Sequence, residues 1–211
     1  PHAVLFFAHG HFAAAVVLNA AAVMRLTGAV SIVTGASSGI GCATALELAA
    51  NGSHVVLAAR REAELATVAA GCRAHGVRTA IVRTDVTRRD DVERLARHAI
   101  HEFGRIDILV NNAAVRNETP FAEITLAEWR QVLSITLDGA FLCAQAGLPH
   151  LARAGGGTIV NIGGLTAHKG AAGRAHVITA KSGLAGLTRA LALDLAPQGI
   201  TVNCVVPGTI D

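Results

Sequence analysis

The stretch RAHVITAKSGL, Arg174 to Leu184, places a lysine where chemistry could use one. Lys181 lies in the opening turns of an Ala- and Leu-rich apolar run, the least comfortable setting for a solvated charge. A lysine that serves chemistry needs a partner one helical turn earlier, on the same face. That position is Val177, which can neither ionise nor donate nor accept.

A second constellation is TGASSGIG, residues 34–41, with Gly35, Gly39 and Gly41 spaced G-x-x-x-G-x-G around Ser37, Ser38 and Ile40. Glycines at that spacing make a tight turn without Cβ atoms. Backbone N–H groups and a helix N-terminus can then face an anionic pyrophosphate, with the serine hydroxyls as added donors. The motif follows an apolar strand-like run and opens a helical one, the context that makes it informative. About 20 residues on, folds that bind NAD place an acid at a strand tip to hold the ribose hydroxyls. This chain has LAARRE there, with Arg60 and Arg61 and no acid at the tip. Arginine suits a 2′-phosphate, so NADP(H) is favoured over NAD(H). Asn112 and Ala113, in NNAAV, follow a later strand, where small residues let a cofactor approach. Asp85 is placed either to reach an adenine edge or to cap the next helix.

The elements that must hold these groups alternate along the chain. Runs rich in Val, Ile and Leu predict strands at 29–34, 54–59, 78–83, 106–110, 158–162 and 200–205. Helical stretches fall near 40–51, 62–75, 88–103, 126–152 and 175–196. Continuous rather than alternating apolar strands are buried on both faces, which marks a parallel sheet with helices on each side. Repeated strand–helix units with short connections predict one α/β domain with a doubly wound, Rossmann-like sheet.

Composition narrows the function classes. Net charge is +3, aromatics are 3% and the arginines are scattered, so no aromatic-interleaved basic face points to nucleic acid. The four cysteines show no Cys-x-x-Cys spacing and sit in apolar contexts. They read as buried thiols in a reducing cytoplasm rather than a disulfide frame or a zinc site. The ten histidines show no i, i+4 pair of the kind a helical metal site uses, so no metal is expected. Residues 4–23 carry no formal charge and are long enough to span a bilayer, but no positive segment precedes them. Met24 opens a natural start, so residues 1–23 are read as an extension outside the fold, 24–211 as the domain, and a membrane partner as the minority reading.

TGASSGIG (34–41), DVT (85–87), NNAA (111–114), LDGAFL (137–142), GGTIVNI (156–162), AKSGLAGLTRALALDLA (180–196) and GITVNCVVPG (199–208) occur in an order and spacing that resemble the short-chain dehydrogenase/reductase family. The pattern is most similar to 3-oxoacyl-acyl-carrier-protein reductases and covers nearly all of residues 25–211. The resemblance implies an NAD(P)-linked oxidoreductase acting on a small carbonyl or alcohol substrate. It implies cofactor contacts also at Val86, Pro207, Gly208 and Ile210, and a homodimer or homotetramer paired through the helices near 126–152 and 175–196. The family's chemistry uses a Tyr-x-x-x-Lys pair, a serine 13 residues before the tyrosine and an asparagine on the central helix. Lys181 matches the lysine, and the resemblance makes it the holder of the nicotinamide ribose. The other three positions hold Val177, Gly164 and Thr136, and the chain contains no tyrosine. A catalytically silent NADP(H)-binding protein is therefore the alternative. The family also continues beyond the PGTID ending, so a partial sequence lacking the C-terminal part of the fold is expected.

Overall fold

The structure, a computed structural model, describes residues 5–6 and 25–208. The predicted apolar runs become β2 (Val30–Thr34), β3 (His54–Ala59), β4 (Thr79–Arg83), β5 (Ile108–Asn111), β6 (Gly157–Ile162) and β7 (Ile200–Val206). A two-residue strand, β1 (Leu5–Phe6), pairs with Val205 and Val206 at the sheet's edge. All pairings are parallel, in the order β1-β7-β6-β5-β2-β3-β4. From β2 the chain winds outward through β3 and β4, then returns to the other side with β5. The crevice between β2 and β5, outside their carboxyl ends, is where a doubly wound sheet opens a binding site.

The strands are apolar throughout because both faces are covered. On one face Val30, Ile32, Leu109 and Ile159 pack under α3 (Arg89–Phe103) and α5 (Gly139–Arg153), joined by Leu195 of α7 (Ala175–Leu195). On the other, Val33, Val55 and Leu57 pack under α1 (Gly39–Ala50) and α2 (Glu62–Arg73). The doubly wound fold expected from the sequence is thus the fold observed.

Three details depart from the expectation. The single helix expected near 126–152 is divided into α4 (Leu126–Leu133), a wide π turn (Ser134–Asp138) and α5. The turn ends on Gly139, where a Cβ would come within 2.7 Å of Val86 Cγ2; only a glycine lets the helix approach the loop after β4 so closely. The fourth predicted strand begins two residues late. Asp107 is buried and accepts the Val30 N–H at 2.9 Å, while Arg105 Nη2 donates to it at 2.6 Å. The carboxylate thus ties the entry of β5 to β2, beside the backbone bonds of Asp107 to the Val30 carbonyl and the Thr158 N–H. Finally, Leu5–Phe6 joins the sheet, whereas residues 1–23 are read from sequence as lying outside the fold; the rest of 1–23 is outside the described residues.

A buried polar chain crosses the sheet. Asn111 Nδ2 donates to Asn161 Oδ1, Asn161 Nδ2 to Thr188 Oγ1, and Thr188 Oγ1 to the Leu184 carbonyl, at 2.9, 2.9 and 2.8 Å. It fixes α7, and the lysine on it, against β6 and β5.

Candidate functional site

The glycine loop sits at the mouth of the crevice, and its glycines are required by geometry. Gly35 has φ +65°, and a Cβ there would lie 2.8 Å from Asn112 Nδ2 and 2.9 Å from Ala113 Cα. A Cβ on Gly41 would run into the Gly35 carbonyl and the Asn112 amide. Asn112 explains this crowding: its Nδ2 donates to the carbonyls of Thr34 and Gly35 at 3.0 and 3.2 Å. Thr34 Oγ1 accepts from the N–H groups of Asn112 and Ala113 and donates to the Val110 carbonyl. The loop is thereby braced on NNAAV. Helix α1 starts after an extended Ser38 with no side chain capping its first-turn amides. Uncapped N–H groups at the positive end of a helix dipole suit an anion.

A cavity of about 720 Å³ opens in front of this loop. Gly35, Ser37, Ser38, Gly39 and Ile40 line it from the loop, and Arg60 and Arg61 from the tip of β3. Asp85, Val86, Asn112 and Ala113 complete that wall. Gly41 lies behind the lining as the contact that lets the loop close. Arg61 Nη2 donates to Ser37 Oγ and Ser38 Oγ at 3.0 and 2.9 Å, while Arg60 stays exposed. Arg61 and the two hydroxyls thus form one cluster beside the glycine turn, with Arg60 lining the same cavity. Asp85 makes the local turn: its Oδ1 accepts from the N–H and the hydroxyl of Thr87, and its own N–H donates to Asp91. It fixes the loop before α3 while still lining the cavity. The cradle that a Cβ would fill, the uncapped helix start and the cationic tip fit a dinucleotide.

A second cavity of about 300 Å³ adjoins the first through Ile40, Asn112 and Arg116. Lys181, Gly164, Val177, Pro207 and Gly208 line it. Lys181 Nζ donates to the carbonyl of Ile162 at the end of β6. Burial pushes the ammonium down to about 8, with the nearby Cys204 thiol acting weakly the other way. Val177 turns part of its side chain into the packing of Val132 and Ala180, and a Cβ on Gly164 would meet only Thr166 Oγ1, at 3.9 Å. Thr136 lies in the π turn, buried, with its hydroxyl unbonded among the described residues; it lines neither cavity, and its neighbour Ile135 lines the larger one. Ile210 is outside the described residues.

Sequence reasoning did not single out Arg116 and Arg174, which also line the smaller cavity. Arg174 is paired with Glu118 at 2.7 Å, and this bond holds the exposed carboxyl below the usual range. The signal available was Arg116, a cation directly after NNAAV at the carboxyl end of a strand. His176, adjacent in sequence to Val177, is enclosed, with Nε2 3.3 Å from Glu128 Oε1. Consecutive helical side chains diverge by about 100°, which turns it away from the cavity. Among the described residues no three His, Cys, Asp or Glu side chains gather as a metal requires.

Comparison with known proteins gives consistent matches. The family model described as short chain dehydrogenase matches residues 29–211. Over 183 residues the chain is 43% identical to a cis-4-hydroxycyclohexanecarboxylate dehydrogenase of Sinomonas cyclohexanicum, covering 86% of this chain and 73% of the relative. A 3-oxoacyl-[acyl-carrier-protein] reductase of Synechocystis is 39% identical over 186 residues, covering 88% of this chain and 75% of the relative. The solved structure of an NAD+-bound xylitol dehydrogenase superposes with a TM-score of 0.85 at 34% identity, over 88% of this chain and 72% of that one.

Proposed function

The chain belongs to the short-chain dehydrogenase family of oxidoreductases, and from that premise we propose that it transfers hydride between NADP(H) and a carbonyl or alcohol substrate. A nicotinamide supplies hydride, which no protein side chain can. The single observation that supports the reading best is the joined pair of cavities, with the glycine cradle at one end and Lys181 at the other.

Each group then has a task. The uncapped amides of α1 take the pyrophosphate. Arg60 and Arg61 take a 2′-phosphate, with Ser37 and Ser38 already bonded to Arg61. Lys181 holds the nicotinamide ribose, with Pro207 and Gly208 lining the same cavity. Among the described residues, Arg116, Arg174 and Lys181 are the charged groups lining the smaller cavity, and no carboxylate lines it. This favours an anionic substrate; the 43%-identical relative is named for one that bears a carboxylate. The four cysteines are free, which supports the reducing cytoplasm. Phe141 on α5 and Leu193 on α7 are exposed apolar residues on the helices expected to pair copies, which supports a homo-oligomer.

A catalytically silent NADP(H)-binding protein is the second reading, favoured by Val177, Gly164 and Thr136 at the three remaining family positions. The two separate in one experiment. The protein is titrated with NADPH and NADH by fluorescence, and the same sample is assayed at 340 nm against ketones, 3-oxo acids and 3-oxoacyl thioesters. Binding with turnover supports the oxidoreductase. Binding without turnover supports the silent protein, and no binding refutes both.

A further inference from the structure

Given carbonyl reduction as proposed above, a proton must reach the substrate oxygen as hydride reaches its carbon. Val177 has none to give. Among the described residues, the polar side chains lining the smaller cavity are those of Asn112, Arg116, Thr166, Arg174 and Lys181. Arginine stays protonated through any working pH. Amides and aliphatic hydroxyls do not ionise in that range. His176 is enclosed against Glu128, and His168 is not part of the cavity wall. Among the described residues, Lys181 is therefore the one lining group that can hold a proton at neutral pH and release it.

Its surroundings suit that task. Arg116 and Arg174 share the cavity, and Cys204 approaches from β7. The nearby Glu118 is drawn into its ion pair with Arg174. Among the described residues, no carboxylate in the wall holds the lysine in its charged form. The Ile162 carbonyl, on the other hand, fixes the stem by accepting from Nζ. An ammonium has three N–H donors, so this bond leaves others to point into the cavity.

We propose that the Lys181 ammonium is itself the general acid, passing an Nζ proton to the substrate oxygen while the carbonyl carbon accepts hydride from the reduced nicotinamide. The C=O π bond breaks, one C–H and one O–H bond form, and the nicotinamide is oxidised. The neutral amine left on Lys181 regains its proton from solvent through the open cavity. Burial supports the assignment, because a pKa of about 8 lies close to a working pH, where a general acid is most effective.

The chain has two lysines, Lys169 and Lys181, so labelling lysine with 13C at Cε gives two signals, and Lys181→Arg assigns them. In cofactor-free protein the Lys181 signal should titrate with a midpoint of about 8. A midpoint above about 10, the ordinary lysine range, overturns the proposal without any assay of activity. In kinetics, wild-type kcat/KM for carbonyl reduction is level at low pH and falls tenfold per pH unit above that midpoint. Lys181→Arg keeps the cation beside the ribose but cannot release a proton: NADPH still binds and turnover falls about 100-fold or more. Lys181→Ala is slow, and added ethylamine restores part of its rate. Full turnover in Lys181→Arg refutes the acid role while leaving the oxidoreductase reading intact. NADPH binding with no turnover by the wild type removes both.

Discussion

A buried lysine makes an uncommon prediction about stability: replacing Lys181 with methionine strengthens the fold at neutral pH. Burial lowers this group from its ordinary 10.5 to about 8 in the folded chain. Below pH 8 both folded and unfolded chains carry the ammonium, and the folded one bears the penalty of enclosing it. Between about 8 and 10.5 the folded chain has released the proton and the unfolded chain has not, so stability rises with pH across that window. At 1.36 kcal/mol per pH unit, the full penalty at pH 7 is about 3 kcal/mol. Lys181 lines an open cavity and bonds to Ile162, so about 2 kcal/mol is the better figure. Methionine has similar length and no charge. In urea, with an m value of about 2 kcal/mol/M, the Lys181→Met midpoint should lie about 1 M above wild type at pH 7, and the gap should close by about pH 10. Taking the difference between the two proteins cancels the other groups that titrate in this window. A variant less stable than wild type at pH 7, or a gap independent of pH, would refute the reasoning.

Three further outcomes are expected. Arg61→Ala removes a charge-assisted contact worth about 1.5–3 kcal/mol, so NADPH should bind about 10- to 100-fold more weakly while NADH changes little; equal losses in the two fluorescence titrations would count against a 2′-phosphate site. Gly35→Ala forces a Cβ to 2.8 Å from Asn112 Nδ2 at φ +65°. It should lower the thermal midpoint by several degrees, at about 1–2 kcal/mol, and abolish nucleotide binding; calorimetry with unchanged binding would show that the loop does not face the ligand. Gly164→Ser with Val177→Tyr should raise ketone turnover by at least about tenfold, since a phenol one turn from Lys181 and a serine hydroxyl add donors that the lone ammonium lacks, and the Gly164 position has room for a side chain. No gain in a folded double variant that binds NADPH would place the obstacle elsewhere.

The sheet was legible because burial on both faces leaves one unambiguous trace, runs such as VVLAA with no polar alternation. The loop was legible because only glycine permits its close contacts, and that need survives in the sequence as spacing. The π turn was not. Apolar periodicity runs through Ser134–Asp138 without interruption, and the residue that closes the turn, Gly139, packs against Val86, some fifty residues away. The task of the Asp107 carboxylate was hidden because its partner, the Val30 N–H, is distant in sequence and invisible to a local pattern. Arg116 and Arg174 were missed for a related reason. They reach one cavity from separate loops, and no motif records that meeting.

The polar chain under the site also has a direction. A carbonyl oxygen can only accept, so the Leu184 carbonyl obliges the Thr188 hydroxyl to point its hydrogen toward it. The threonine oxygen must then receive from Asn161, which turns that amide's oxygen toward β5 and makes Asn111 the next donor. The orientation of two side-chain amides is thereby dictated by one backbone group on a helix. The chain ends on Asn111, whose Nδ2 also reaches the Ala140 carbonyl at 3.4 Å, so an orientation set on α7 is carried to the residue just before Asn112, the brace of the glycine loop.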